Sequence, residues 1–280
     1  MGLKQAIVAT ATRLGCFPLG LAAQRLAWGS RFLRVLNYHA TPQRDAAGLE
    51  RQLDLYLEHF DPADPAALDA CLAGRFDGSK PRLLITFDDG YRSNHDVAAP
   101  LLEKRGFRGC FFLPEAEIAG DRFTADIAFA KAKNEPEPRM TWSEAHALEA
   151  RGHRIGCHTR THVRLADDLP AERLVDEITA AGRDIAEKLG HPVEDFCWVG
   201  GEEWSYGVGA FDEIKRAGYR RVFMTNLYPV LPGSSPIWIQ RTNIEASWPI
   251  DQVKFYLSGV MDLAYAPKRR RLARKLLSRV

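Results

Sequence analysis

Two adjacent carboxylates follow a short apolar segment in LLITFDDGYRSN, residues 83–94. The run from Leu83 to Phe87 is apolar and partly β-branched, which predicts a core strand. Asp88 and Asp89 follow it directly. Because two like charges at the rim of a core repel each other and lose hydration, they indicate a bound cation or a chemical task. The structural alternative is an Asp-Asp-Gly turn that caps the next helix.

A pair of histidines follows a second predicted strand, RIGC (154–157). His158 and His162 are four residues apart in IGCHTRTHVRL, so one helical turn can point both imidazoles the same way. Two imidazoles with one carboxylate are a familiar ligand set for zinc or a related divalent metal that keeps positions open for water. Since the chain has eight histidines, one H-x-x-x-H pattern can also arise by chance.

A third strand, FLRVLNY (32–38), is followed by His39. A lone histidine at a strand end is more often a hydrogen-bonded structural residue. His39 becomes a candidate only because the other two strand ends also carry residues that can bind metal or transfer protons. In parallel α/β folds, ligands gather at the carboxyl ends of the strands. Three strand ends that carry acids and imidazoles therefore predict one shared site.

Predicted strands alternate with predicted helices through most of the chain, which implies a parallel sheet or barrel. Further strands are predicted at 109–113, 194–199, 220–225 and 237–240, and helices at 3–28, 49–60, 94–105, 141–151, 170–189 and 208–217. A long polar stretch after Leu113 could form a lid or a substrate loop.

The composition is that of a globular protein with one large domain, or one domain with small appendages. The 280 residues are 46% hydrophobic and 26% charged, and no run of eighteen apolar residues predicts a transmembrane helix. The five cysteines are odd in number and include no C-x-x-C motif. They favour reduced, buried thiols and a cytoplasmic location, with export as the alternative.

The C-terminal residues 268–280 carry seven Lys or Arg and no acid, so the rest of the chain is mildly acidic despite the net charge of +2. Four apolar side chains fall on one helical face of this tail: Leu272, Leu276, Leu277 and Val280. Such a helix suits an anionic membrane surface, with a solvated basic terminus as the alternative. Together with the apolar N-terminal helix, it favours peripheral attachment to the inner membrane. The acidic body argues against nucleic acid as a partner.

The motif TFDDGY, followed by HTRTH, resembles the polysaccharide deacetylase family, also called the NodB homology domain or carbohydrate esterase family 4. The likeness spans residues 32–245, and LNYHATP resembles the branch that includes the poly-N-acetylglucosamine deacetylases, in which an N-terminal Y-H strand supplies the catalytic histidine. The resemblance implies an α/β fold, a distorted (β/α) barrel with fewer than eight strands. We expect an N-terminal amphipathic helix over 1–31, the NodB-like domain over 32–250 and a C-terminal helix with the basic tail over 251–280.

The resemblance also implies a reaction, the metal-dependent removal of an N-acetyl group from an amino sugar of a polysaccharide or lipid-linked glycan. Asp89, His158 and His162 would hold a divalent metal, with Zn²⁺ expected first and Co²⁺, Ni²⁺ or Fe²⁺ as alternatives. Asp88 would be the general base, and His39 would protonate the departing amine.

The family's third motif is altered in this chain, where it reads FCWVGGEEW (196–204). Cys197 stands where some members have the arginine that orients the catalytic aspartate. Arg241 is the candidate replacement, with an ordinary surface arginine as an equal alternative. Backbone N–H groups near Gly200 would stabilise the oxyanion. Trp204 could stack on a sugar ring, although rim packing is the commoner role of such a residue.

The altered motif keeps two other functions open. One is a different hydrolase on the same scaffold, such as a deformylase of a lipid-linked amino sugar or another amide hydrolase. The other is a non-catalytic glycan-binding relative, which ranks last because all the proposed catalytic and metal-binding residues are present.

Overall fold

The structure is a computed structural model that describes residues 15–76, 78–118 and 137–277. Its described strands form one parallel sheet, in the order β8-β7-β6-β5-β4-β3-β1-β9, with β2 paired to β3 beside this path. The strands are β1 (Leu33–Tyr38), β2 (Asp61–Pro62), β3 (Arg82–Phe87), β4 (Cys110–Leu113), β5 (Arg154–Cys157), β6 (Asp195–Cys197), β7 (Arg221–Met224), β8 (Ile239–Gln240) and β9 (Thr242–Asn243).

The segment 239–243 nearly closes this sheet into a barrel. Its first half, β8, pairs with β7, and its second half, β9, pairs with β1. Arg241 lies between the two halves, and its N–H donates to the Met224 carbonyl at 2.8 Å. The predicted distorted (β/α) barrel is confirmed. Six strands on the path have three residues or more, and the two-residue strands β8 and β9 extend it to eight.

Helices follow most of the strands and cover the outside of the barrel. They are α1 (Cys16–Trp28), α2 (Ala46–His59), α3 (Pro65–Leu72), α4 (Ala99–Glu103), α5 (Trp142–Ala150), α6 (Ala171–Leu174), α7 (Ala181–Leu189), α8 (Val208–Arg216), α9 (Ile250–Leu257), α10 (Val260–Ala264) and α11 (Ala266–Leu276). Two π-helical segments, Asn94–Ala98 and Val175–Ala180, lead into α4 and α7.

Alternation along the strands divides the apolar side chains between two cores, as a barrel requires. Leu33 and Val35 of β1 face the interior, whereas Leu36 and Tyr38 pack in the layer between the sheet and the helices. The helix α3 adds Leu68 and Cys71 to the interior cluster. Its Asp69 pairs with Arg154 and Arg221, which begin β5 and β7, so α3 covers the amino ends of the strands. The opposite, carboxyl ends are left for a ligand.

The first and the last helices that the structure describes pack onto the barrel. Arg34 of β1 forms a buried, two-pronged ion pair with Asp262 of α10 and donates to Gln24 of α1 at 2.6 Å. On α11, Leu272 and Leu276 are buried in the outer core. The apolar side of the basic tail, which we expected to suit a membrane, therefore packs against the protein as far as the described residues show.

Two predicted segments fall outside the described residues. The N-terminal helix expected over 3–28 is seen only as α1, since residues 1–14 are not described. Most of the polar stretch after Leu113, residues 119–136, is not described either. None of the helices in the described ranges combines the length and apolar character needed to cross a bilayer.

Candidate active site

The predicted metal ligands meet at the carboxyl ends of β3 and β5. Asp89 Oδ1 lies 2.9 Å from His162 Nε2 and 3.4 Å from His158 Nε2. Both Asp89 and His158 are buried, and His162 is partly exposed. One carboxylate oxygen and two imidazole nitrogens that converge in this way can hold a divalent cation, and the three donor atoms all lie within 4.8 Å of one another. The donor set therefore fits the metal that the resemblance implies.

The tautomer of His158 is set by the hydrogen bond of its Nδ1 atom. His158 Nδ1 lies 3.0 Å from the carbonyl oxygen of Cys197. A carbonyl only accepts hydrogen bonds, so Nδ1 carries a proton and the ring presents Nε2 to Asp89. The third-motif strand β6 thus orients a ligand on β5, a role for Cys197 that the sequence did not predict.

The backbone at the ligands is strained. Positive φ angles occur at Asp89 (71°), Thr159 (66°) and His162 (56°), and each such residue costs about 1–3 kcal/mol relative to relaxed backbone. Gly90, with a φ of 64°, continues the turn after Asp89. This is the conformation that turns the Asp89 carboxylate from the strand toward the two imidazoles.

Glu177 stabilises the conformation of the loop 158–162 after β5, the histidine loop. Its buried carboxylate accepts hydrogen bonds from the backbone N–H groups of Arg160 (2.9 Å) and Thr161 (2.8 Å), and it also pairs with Arg173. Sequence reasoning missed Glu177. The available signal was an acid three residues after Leu174 and next to Ile178, on the apolar side of a helix.

Asp88 is held by a buried arginine. The Arg241 guanidinium donates to both carboxylate oxygens, at 2.7 Å and 2.8 Å, and Asn37 Nδ2 donates at 2.9 Å. Arg241 is fully buried, so the alternative of a surface arginine does not describe its position. Its Nη2 also lies 2.7 Å from the Cys197 sulfur. Arg241 belongs to the segment 239–243 that nearly closes the barrel, which we call the barrel seam. Its guanidinium therefore reaches the third-motif position where some family members carry their arginine.

Burial and the charged neighbours act in opposite directions on the two aspartates. Burial raises the pKa of Asp88, but the Arg241 guanidinium outweighs it and holds the pKa below its ordinary value. Burial likewise opposes ionisation of Asp89, and hydrogen bonds from His158 and His162 bring its pKa well below the usual range. Both groups are carboxylates at neutral pH, ready to accept a proton or bind a cation.

His39 lies at the same pocket with an acid behind it. Its Nδ1 is 3.1 Å from Glu245 Oε1, which follows β9. Burial lowers the pKa of His39, but the hydrogen bond that its Nδ1 donates to the Glu245 carboxylate and the charge of the nearby Asp89 raise it to about 9. His39 therefore carries a proton at neutral pH. Glu245 had no part in the sequence prediction, because the two residues meet only when the seam closes against β1.

Six of the eight predicted site residues line one pocket of about 880 Å³, and Arg241 and Trp204 do not. The pocket is lined by His39, Asp88, Asp89, His158, His162 and Gly200, whereas Arg241 lies behind Asp88. Trp204 is 57% exposed and lies outside the described lining, with the Arg164 guanidinium 5.8 Å from its ring centroid. The predicted contact of Trp204 with sugar remains a prediction.

Several solved structures share this fold at low sequence identity. The deacetylase PplD of Streptococcus pyogenes, in complex with acetate, is 15% identical with a TM-score of 0.62 over 79% of this chain and 96% of its own. A de-N-acetylase from Aggregatibacter actinomycetemcomitans is 17% identical, with a TM-score of 0.65 over 81% and 100%. IcaB from Ammonifex degensii is 21% identical, with a TM-score of 0.62 over 81% and 97%. At these identities the likeness establishes the fold.

The family itself is established by sequence. No curated protein matches the chain, but the family described as "Polysaccharide deacetylase" matches residues 76–222, more than half of its length. That range contains the Asp88-Asp89 motif, the histidine pair and the altered third motif. The resemblance drawn from TFDDGY and HTRTH is confirmed: the chain belongs to the polysaccharide deacetylase family and is a hydrolase that acts on carbon–nitrogen bonds other than peptide bonds.

Proposed function

We propose that the protein removes an N-acetyl group from an amino sugar of a polysaccharide or lipid-linked glycan, with a divalent metal at Asp89, His158 and His162. The observation that carries the proposal is the arrangement of three functions in one pocket. It holds a ligand triad, an ionised Asp88 clamped by Arg241, and a protonated His39. Zn²⁺ is the metal expected first, because the donors are imidazole nitrogen and carboxylate oxygen.

The chain's own residues divide the proton transfers between them. When bound, the metal polarises the acyl carbonyl and makes a water more acidic. Asp88 takes the proton of the attacking water, and Arg241 keeps its carboxylate ionised and aimed at the pocket. His39 donates its proton to the amine nitrogen as the carbon–nitrogen bond breaks. Backbone N–H groups near Gly200 support the oxygen that gains negative charge.

The altered third motif favours a second candidate, another amide hydrolase such as a deformylase. The Gly201 N–H, in the stretch expected to face the oxyanion, donates to the Glu202 carboxylate at 3.1 Å. The wall near the acyl group therefore differs from the family pattern, while the ligand triad and the acid–base pair do not. Release of formate rather than acetate from matched N-acyl amino sugars would favour the deformylase.

The first test is metal content. We expect near-stoichiometric zinc, cobalt, nickel or iron in the wild-type protein by elemental analysis, and its loss in His158→Ala, because two of the three donors cannot hold the ion tightly. The control is His146→Ala, which removes an exposed imidazole from α5 and should keep the metal. Equal and negligible metal in all three proteins, even after reconstitution, would contradict the proposed function.

We further propose that the protein works in the cytoplasm in peripheral contact with the anionic inner membrane. A groove of about 490 Å³ between α1 and α10 is bordered by Leu19, which is 68% exposed, and Leu263, which is 77% exposed. Arg269 of α11 lines the same groove, and Arg270 beside it is exposed. Apolar side chains flanked by basic ones suit an anionic lipid surface, and this groove remains open although the apolar side of α11 is buried.

Sedimentation with vesicles that contain phosphatidylglycerol tests this contact. The double variant Leu19→Asp, Leu263→Asp is expected to lose most of the wild-type binding, because it places negative charge on the groove. Val175→Asp, which changes an apolar side chain that is 42% exposed on a different helical segment, should bind as the wild type does. Wild-type protein that stays in the supernatant would show that no such contact forms.

A further inference from the structure

The C-terminal helix α11 supplies part of the pocket wall. Lys268, in its first turns, lines the pocket with Tyr265 and donates from Nζ to the carbonyl oxygen of Gly201 in the altered third motif. Its Nζ lies 5.4 Å from the ring centroid of Tyr265 and 5.8 Å from that of Tyr206. The basic tail thus contributes an ammonium group to the same cavity as the ligand triad.

The surroundings of this ammonium offer little direct charge compensation within the part of the chain that the structure describes. Among the described residues, no carboxylate forms an ion pair with Lys268. The two nearest acids of the third motif are engaged elsewhere: Glu203 by Arg271 at 2.8 Å, and Glu202 by Arg164 at 3.2 Å. Burial accordingly lowers the pKa of Lys268 below its ordinary value. A partly buried cation that faces only a carbonyl and two aromatic rings is poorly compensated.

A second cation lies near the same loop. Arg164 also lines the pocket, and its guanidinium meets the Glu202 carboxylate at 3.2 Å and 3.5 Å. Both side chains are about half exposed, and an ion pair so open to solvent contributes little to stability. Arg164 can therefore exchange Glu202 for a stronger acceptor at small cost. Two cations thus approach the Gly201–Glu202 stretch from different sides.

Resting on the proposed function, we propose that Lys268 determines substrate specificity by binding an anionic substituent, a phosphate or a carboxylate, of the amino sugar. An anion at this position would compensate the ammonium, with which no acid of the described residues forms an ion pair, and charge-assisted hydrogen bonds are about twice as strong as neutral ones. The substrate class is then an anionic N-acylated amino sugar rather than a neutral one.

The test measures binding of deacylated sugars, which the enzyme cannot turn over. The metal-loaded full-length protein is titrated calorimetrically with glucosamine, glucosamine 1-phosphate and muramic acid. The latter two place a phosphate and a carboxylate on the same amino sugar and so distinguish the two anions. Wild-type protein should bind at least one anionic sugar roughly 10-fold or more tightly than glucosamine, since hydrogen bonds to charged groups contribute this much.

Three variants separate charge recognition from support of the loop. Lys268→Met should lose the preference for the anionic sugar, whereas Lys268→Arg should retain most of it. Arg270→Met removes the same charge from an exposed position two residues further along α11 and outside the described pocket lining, so it should keep the wild-type preference. A Lys268→Met protein with the wild-type preference, or wild-type protein that binds all three sugars equally or none, would overturn the proposal.

Release of acetate from the corresponding N-acetyl sugars is measured separately. Its failure, with the binding preference intact, would contradict the proposed function and leave the anion site standing.

Discussion

Replacing Arg241 by Met is expected to lower the free energy of unfolding by about 3–5 kcal/mol and to reduce kcat strongly. The substitution leaves Asp88 as a buried carboxylate without its bidentate partner, and breaking a buried pair from one side costs this much. Without the guanidinium, burial raises the pKa of Asp88, so a smaller fraction of the enzyme holds the ionised base. Chemical denaturation and acetate release measure the two effects.

A double variant separates stability from chemistry. Adding Asp88→Asn to Arg241→Met removes the unpaired charge, so we expect part of the lost stability to return while kcat stays low by about 10²- to 10⁴-fold, the usual contribution of a general base. Metal content should remain at the wild-type level, because neither residue belongs to the ligand triad. The proposed clamp would be refuted if Arg241→Met alone had wild-type stability and a wild-type kcat.

Replacing His39 by Gln is expected to reduce kcat by about 10²- to 10⁴-fold, because the departing amine then lacks its proton donor. The pH profile of kcat/KM identifies the role more directly. A general acid must be protonated, so activity should fall as pH rises through the pKa of His39, which is about 9. Glu245→Gln removes the carboxylate that sustains this pKa, so the basic limb should move to lower pH by roughly one unit.

The free energy of unfolding should also depend on pH through the ionisation of His39. Because the folded-state pKa of His39 lies above its ordinary 6.5, ionised His39 adds stability that is fully present below about pH 6.5 and is lost as pH rises through about 9. Glu245→Gln should reduce that pH dependence, because it lowers the folded-state pKa of His39 toward the ordinary value. Glu203→Gln removes an equivalent carboxylate, one paired with Arg271, and should leave the basic limb in place. A basic limb that does not move in Glu245→Gln would contradict the assignment of His39.

The core strands could be predicted because their residues are strongly patterned. The predicted strands 82–87 and 154–157 match β3 and β5, since each is a buried run that ends at polar residues. The predicted strand 237–240 contains β8, whereas the two-residue strand β9 and the pairing of β8 and β9 with β7 and β1 could not be predicted in this way. Their pairing depends on how distant strands align, and a pattern of residue types carries no information about that register.

The residues of the site also differ in whether the sequence pattern could predict their place. Residues directly after a predicted strand, such as His39, Asp88 and His158, could be placed in one pocket because strand ends meet at one rim of the barrel. Glu245 could not, since its partner His39 lies 206 residues earlier in the chain, and Glu177 was missed because it contacts the backbone of the histidine loop and not a candidate ligand. The tail shows the same limit: its amphipathic pattern predicts a buried face but does not say whether protein or lipid covers it, and the structure buries Leu272 and Leu276 against protein.

The barrel seam also sets the order in which the active site can be assembled during synthesis. Asp89, His158 and His162 all leave the ribosome before Arg241 and Glu245, which lie in or just after the segment that joins β7 to β1. A nascent chain can therefore bring the proposed metal ligands together while the proposed base, Asp88, lacks its guanidinium partner and the proposed acid, His39, lacks its carboxylate partner. The site for hydrolysis is complete only after the last strands have emerged. Truncated chains should therefore have no hydrolytic activity, even where they still bind metal.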